Sequence, residues 1–247
     1  MRLRIALTFT IAAAFQVAAA EVFQTLAPSI VRVRSFVGET VLKDGSGLVR
    51  EDYEYGTGFA VEDSLVVTAK HTVVIDKHQS KAVHCWSPVR KRYEGCTIVY
   101  VSPDRDIAVL WYPELPKPRL SLIARAIPPG VSLIVAGFPD TPYAQPRLVV
   151  GQGVLLSWST AAPGGEHLAD RRKLASVDAV AFPGCSGGPV LTEKLEVVGM
   201  VVSIMENDEG QWNGTTYLVR AEDIRAALNE ARKSIQQKKG YEFLPSK

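Results

Sequence analysis

Up to residue 220 the chain carries almost no helical periodicity. Its apolar residues come in short runs rich in valine, isoleucine and aromatics, separated by Gly, Pro and Asp. This pattern restricts the body of the protein to β structure. Strands are expected at residues 30–36, 56–61, 65–68, 81–86, 93–101 and 107–112, and again at 131–137, 148–156, 174–179, 188–191, 196–204 and 215–219. Between the two groups, residues 113–129 hold five of the 15 prolines. Proline cannot donate to a β-ladder, so this stretch is expected to connect two halves and to be a strand of neither. The expectation is an all-β protein of two six-stranded antiparallel β-barrels, residues 21–112 and 130–220. From Ala221 the spacing changes, with Ile224, Ala227, Leu228 and Ala231 on one face and Asp223, Arg225 and Glu230 on the other. A C-terminal amphipathic α-helix packed on the second barrel is expected within 221–247, with a frayed tail from Lys238.

Residues 1–20 place Arg2 and Arg4 before an apolar stretch from Ile5, which ends in Ala18-Ala19-Ala20 ahead of Glu21. That is the layout of a cleavable signal peptide. The stretch is interrupted by Thr8, Thr10 and Gln16 and falls short of the roughly 20 apolar residues of a membrane span. The expectation is a secreted or periplasmic protein with no stable span in its mature form. Without Arg2 and Arg4 the chain has 26 basic and 26 acidic residues. The basic residues are scattered, so neither nucleic acid nor an anionic membrane is indicated as a partner. In an oxidising compartment Cys85 and Cys96, flanking the polar segment 87–95, can form a disulfide if their positions face each other across a hairpin. Cys185 is then left over.

The strongest local signal is Pro183-Gly184-Cys185-Ser186-Gly187-Gly188-Pro189. Glycines on both sides of a serine let the backbone curl until its N–H groups converge on one point, where they can hold an oxyanion. A serine hydroxyl is a weak nucleophile near neutral pH and requires a base. His71, at the end of the apolar run Val66-Val67-Thr68-Ala69, is the best framed of four histidines; His78, His84 and His167 sit in or beside polar segments. The base in turn needs an acceptor for its other ring nitrogen. Asp106, opening Asp106-Ile107-Ala108-Val109-Leu110, is the candidate, with Asp104 the near alternative. By itself Asp106 reads equally well as a turn residue that starts a strand.

Taken in order, Thr68-Ala69-Lys70-His71, Asp106-Ile107-Ala108-Val109-Leu110 and Gly184-Cys185-Ser186-Gly187-Gly188-Pro189 resemble the chymotrypsin-fold serine proteases, in particular the HtrA/Deg branch. Tyr55-Gly56-Thr57-Gly58-Phe59 and Val177-Asp178-Ala179-Val180 extend the resemblance. It implies a serine endopeptidase acting on protein or peptide substrates without metal or organic cofactor; apart from the resemblance, the expectation is a protease domain without an appended peptide-binding module. His71 and Asp106 would come from the first barrel and Ser186 from the second, and the amides of Gly184 and Ser186 would form the oxyanion hole. By the same analogy Val180, Val201, Val202, Ser203 and Ile204 would wall the pocket for the residue before the cut, which favours small aliphatic side chains. A catalytically idle relative that binds peptides in the same cleft is the competing reading.

Two positions depart from the pattern. Lys70 stands beside His71 where relatives carry a small residue, so its cation must find water or a partner. Cys185 stands where an Asp or Asn is usual, so activation by a newly cut N-terminus pairing with that carboxylate is not expected. Segments 37–55 and 157–173 are expected as long polar loops bordering the cleft.

Overall fold

The structure, a computed structural model, describes residues 22–41, 49–87, 89–115, 119–140, 145–160, 174–206 and 212–238. The expected signal peptide, His167 and most of the expected tail lie outside these residues. The strands are β1 (Ile30–Val41), β2 (Val49–Glu62), β3 (Leu65–Thr68), β4 (Val74–Ile75), β5 (His78–Gln79), β6 (Val83–Ser87), β7 (Arg92–Val101) and β8 (Ala108–Trp111) in the first half. In the second half they are β9 (Ser121–Leu122), β10 (Ser132–Gly137), β11 (Val149–Thr160), β12 (Leu174–Ala179), β13 (Pro189–Leu191), β14 (Glu196–Glu206) and β15 (Trp212–Arg220).

The first barrel closes in the order β1-β2-β3-β8-β7-β6, and the second in the order β13-β10-β11-β12-β15-β14, sealed by the β13–β14 pairing. Each barrel is six-stranded and antiparallel, as the two groups of apolar runs predict. Alternation along β1 explains how the halves fit together. Val31 and Val33 point into the first barrel with Val66, Val73, Ala108 and Leu110. Ile30 points the other way, joining Phe59, Val67, Ile134, Ala136 and Phe138 in a cluster between the barrels. A third cluster, around Leu133, Val135, Leu155, Val177 and Val190, fills the second barrel.

Three expectations need correction. Residues 121–122 of the proline-dense connector form β9, which runs parallel to β14 at the edge of the second barrel. The expected polar loops are partly strand: β1 and β2 stay paired out to Val41↔Val49, and β11 runs on to Thr160. Both extensions lack apolar alternation, and the first is held by ladder bonds and polar pairs such as Thr40 Oγ1 with Asp52. The C-terminal helix (Ala221–Lys238) packs across both barrels rather than on the second alone, meeting β7 and β8 as well as β14 and β15. Arg232 reaches Glu62 of the first barrel with Nε at 2.8 Å, and Arg225 donates to the Ile123 carbonyl at 2.7 Å. Among the described residues no helix is long and apolar enough to cross a membrane.

Candidate active site

His71 lies in a 3-10 turn, Lys70–Thr72, that follows β3. Asp106 precedes β8, which pairs with β3 through Thr68↔Ala108. That pairing brings the two residues together. Asp106 is 3% exposed, and its carboxylate is used twice. One oxygen accepts from the His71 backbone N–H at 2.9 Å, and the other lies 2.7 Å from the ring Nδ1. The carboxylate thus fixes both the imidazole and the backbone that carries it, leaving Nε2 as the nitrogen able to accept a proton. Burial alone would lower the pKa of His71. The hydrogen bond and charge of Asp106, with a smaller contribution from Glu54, outweigh it, and the net direction is up.

The remaining histidines and acids have other surroundings. Asp104 accepts from Ser102 Oγ at 3.1 Å inside its own turn. His78 is exposed on β5, and His84 packs edge-on against Tyr53. Lys70 lies in the 3-10 turn, and its Nζ donates to the Ser102 carbonyl at 2.9 Å, which supplies the partner its charge requires.

The serine turn is pinned at successive carbonyls. Pro183 O accepts from Asp140 N at 2.7 Å, Gly184 O from Thr57 Oγ1 at 2.8 Å, Cys185 O from Gly188 N at 2.8 Å and Ser186 O from Thr57 N at 2.8 Å. In a trans peptide the N–H points opposite to the preceding carbonyl. Fixing the carbonyls of Pro183 and Cys185 therefore fixes the directions of the Gly184 and Ser186 N–H groups. Among the described residues neither of these two N–H groups donates to a backbone carbonyl, whereas Cys185 N donates to Phe182 O at 2.9 Å and Gly187 N to Val201 O at 2.7 Å. Gly184 has φ +89°, a conformation that favours glycine.

Tight packing joins this turn to the segment bearing His71. A Cβ on Gly187 would stand 2.0 Å from Thr57 O and 2.9 Å from Ala69 N. A Cβ on Gly56 would stand 2.6 Å from the Thr72 side chain and 3.1 Å from Ser186 O. Each glycine thus has a neighbour closer than real Cβ contacts allow, so only glycine lets the serine turn lie against residues 69–72.

Of the expected pocket wall, Val201 and Val202 are 2% and 4% exposed and belong to the packed clusters. Val201 meets the serine turn through its main chain, accepting from Gly187 N and donating to Gly188 O at 2.9 Å. Val180 is 45% exposed, and Ser203 and Ile204 are partly exposed, so these three present side chains at the surface. Cys185 is buried against Gly137, and burial pushes its thiol up to about 11. It is a small apolar filler. Cys85 and Cys96 are unbonded thiols with their sulfurs 2.7 Å apart. They are diagonal neighbours on one face, since Cys85 pairs with Glu94 and Cys96 with Val83. No metal-binding cluster of His, Cys, Asp or Glu occurs among the described residues.

Sequence pattern assigns no role to Arg32 or to Thr57, although Thr57 lies in the Tyr55-Gly56-Thr57-Gly58-Phe59 motif. They are paired on β1 and β2, and both reach the second barrel: Thr57 Oγ1 also accepts from Phe138 N at 2.8 Å, and Arg32 Nη2 lies 2.9 Å from Asp140 Oδ1. The placement of Thr57 between two glycines was the available signal.

The chain is similar to known serine proteases. Serine protease Rv3671c of Mycobacterium tuberculosis (strain ATCC 25618 / H37Rv) is 26% identical over 184 residues, covering 73% of this chain and 41% of that protein. Serine protease MT3772 of strain CDC 1551 / Oshkosh matches over the same shares. The chain thus spans less than half the length of the curated relatives it matches. Among solved structures, the active form of the M. tuberculosis Rv3671c protease superposes with TM-score 0.67 at 21% identity, over 87% of this chain and 86% of that one. The HtrA-type protease AlgW with a tripeptide gives 0.65 at 17% identity, over 88% and 64%. At these identities the structures establish the fold. A model described as the trypsin-like peptidase domain matches residues 56–200, more than half the chain and a span that includes His71, Asp106 and Ser186. The chain therefore belongs to the trypsin-like peptidase domain family.

Proposed function

We infer that the protein is a serine endopeptidase that hydrolyses peptide bonds of unfolded proteins through Ser186, His71 and Asp106. The observation that carries this reading is the double use of Asp106, which presents an oriented imidazole beside a serine turn whose Gly184 and Ser186 N–H groups have no backbone acceptor among the described residues. In this mechanism Ser186 Oγ attacks the scissile carbonyl while His71 Nε2 takes the hydroxyl proton. The two N–H groups hold the resulting oxyanion. As the tetrahedral centre collapses, the C–N bond breaks and His71 passes its proton to the leaving amine. Water, deprotonated by His71, then cleaves the acyl ester and restores Ser186. Asp106 keeps the ring oriented and stabilises the imidazolium.

Val180, Ser203 and Ile204 bring no carboxylate to the surface on this side of the turn, which favours small aliphatic residues before the cut. Past Val201, β14 has no strand partner on its β13 side among the described residues, and this stretch offers main-chain groups for a substrate strand. Residues 1–20 act as an export signal in this account, removed after Ala20, and the mature enzyme works outside the cytoplasm. Digestion of an unfolded protein by the mature chain, abolished by Ser186→Ala, tests the function. Retained binding of unfolded protein with no cleavage by the wild type would favour the idle, peptide-binding reading.

A further inference from the structure

With Cys185 in place of a carboxylate, another group must hold the Pro183–Gly184 peptide in the orientation that an oxyanion needs. We propose that Arg32 is the positioning residue for the oxyanion hole, acting across the barrel seam through Asp140. Arg32 Nη2 lies 2.9 Å from Asp140 Oδ1, and the backbone N–H of Asp140 donates to Pro183 O at 2.7 Å. Because the Gly184 N–H is antiparallel to that carbonyl, rotation of the peptide would swing the N–H out of the site and turn the carbonyl oxygen in. The ion pair therefore acts on the one hydrogen bond that selects between the two orientations.

The arrangement is rigid on the Arg32 side. The guanidinium carbon lies 4.0 Å from the Tyr55 ring centroid, and the side chain is 8% exposed. Arg32 stands directly across the ladder from Thr57, whose hydroxyl holds the next carbonyl, Gly184 O. One rung of the first barrel thus sets two consecutive peptides of the second barrel's serine turn. Every partner lies between Arg32 and Gly188, so this orientation requires no newly formed N-terminus. Asp140 is half exposed, so the pair is more accessible to solvent than the rest of the network.

This inference rests on the protease reading, and its test separates the two. Arg32→Gln, Asp140→Asn and the double variant are compared with wild type for peptide hydrolysis and for affinity toward a peptidyl boronic acid, which forms a tetrahedral adduct on the serine. The expected result is a fall in kcat of about ten- to a hundredfold with KM changed less than about twofold, below the roughly 10²- to 10³-fold loss when an oxyanion donor is removed outright. Boronate affinity falls in parallel, and the double variant loses no more than either single one, because the residues act as one unit. Arg32→Lys, retaining the charge, recovers part of kcat. Unchanged kcat in Asp140→Asn, a rise confined to KM, or additive losses in the double variant would overturn the inference. Should Arg32→Gln fail to fold, Asp140→Asn decides by the same readouts. A wild type that neither cleaves peptide nor binds boronate sinks the protease reading itself.

Discussion

Thr57 Oγ1 donates to Gly184 O at 2.8 Å and accepts from Phe138 N at 2.8 Å, so one hydroxyl on the first barrel holds two main-chain groups of the second. Its own N–H donates to Ser186 O, and its carbonyl accepts from Thr68 Oγ1 at 2.7 Å. Thr57 is fully buried, so none of these groups can turn to water instead. Thr57→Val keeps the shape and removes the hydroxyl. A loss of about 1–3 kcal/mol in stability is expected from the stranded groups, measured as a lower urea midpoint, together with a lower kcat because Gly184 loses its anchor.

Gly187 lies at φ +88°, and a Cβ there would meet Thr57 O at 2.0 Å. Gly187→Ala is expected to push the serine turn off the first barrel. The variant should lose proteolysis while far-ultraviolet circular dichroism reports both barrels still β-rich.

A protonated imidazole cannot accept the Ser186 proton, so activity must rise with pH through the pKa of His71. Asp106 raises that pKa, so the midpoint of kcat/KM is expected above the ordinary value of about 6.5. In Asp106→Asn burial is opposed only by the smaller contribution of Glu54 and the midpoint moves down, with a rate loss on the order of 10⁴-fold. Since the folded pKa is raised, the pair's contribution to stability is present in full below the unfolded value and is lost as pH rises through the folded one. The urea midpoints of wild type and Asp106→Asn should therefore differ more at about pH 5 than at about pH 9.

The cysteines should divide by environment. Cys85 and Cys96 share one face of the β6–β7 hairpin and are expected to form a disulfide under oxidising conditions, read by intact mass and peptide mapping. Closing so short a loop stabilises by about 2–3 kcal/mol. Cys185, with its thiol held near 11, should resist iodoacetamide in the native state and react once unfolded.

Much of this architecture is legible in the amino-acid order because apolar alternation specifies it: β3 and β12 fall on the residues the runs mark. The outer half of the β1–β2 hairpin escapes notice because Gly38, Glu39, Thr40, Arg50, Glu51 and Asp52 give no alternation, and ladder bonds sustain the pairing. Arg32 and Thr57 escape for a different reason. On the outside of an isolated barrel a polar residue reads as solvated, but this outside is a seam, and polarity there marks a contact whose partner lies 108 residues away for Arg32 and 127 for Thr57. The His71–Asp106 contact is anticipated only through resemblance, since 35 residues separate the two and nothing local distinguishes Asp106 from a turn former.

The proposed mechanism requires Ser186 to be an activated nucleophile facing a formed oxyanion hole. Treating the purified chain, freed of residues 1–20, with a fluorophosphonate probe tests it most directly, because labelling requires nucleophile, base and oxyanion donors together. Stoichiometric labelling of the Ser186 peptide is expected, abolished by Ser186→Ala and slowed in His71→Ala. A folded protein that remains unlabelled across the pH range in which His71 is neutral would contradict it.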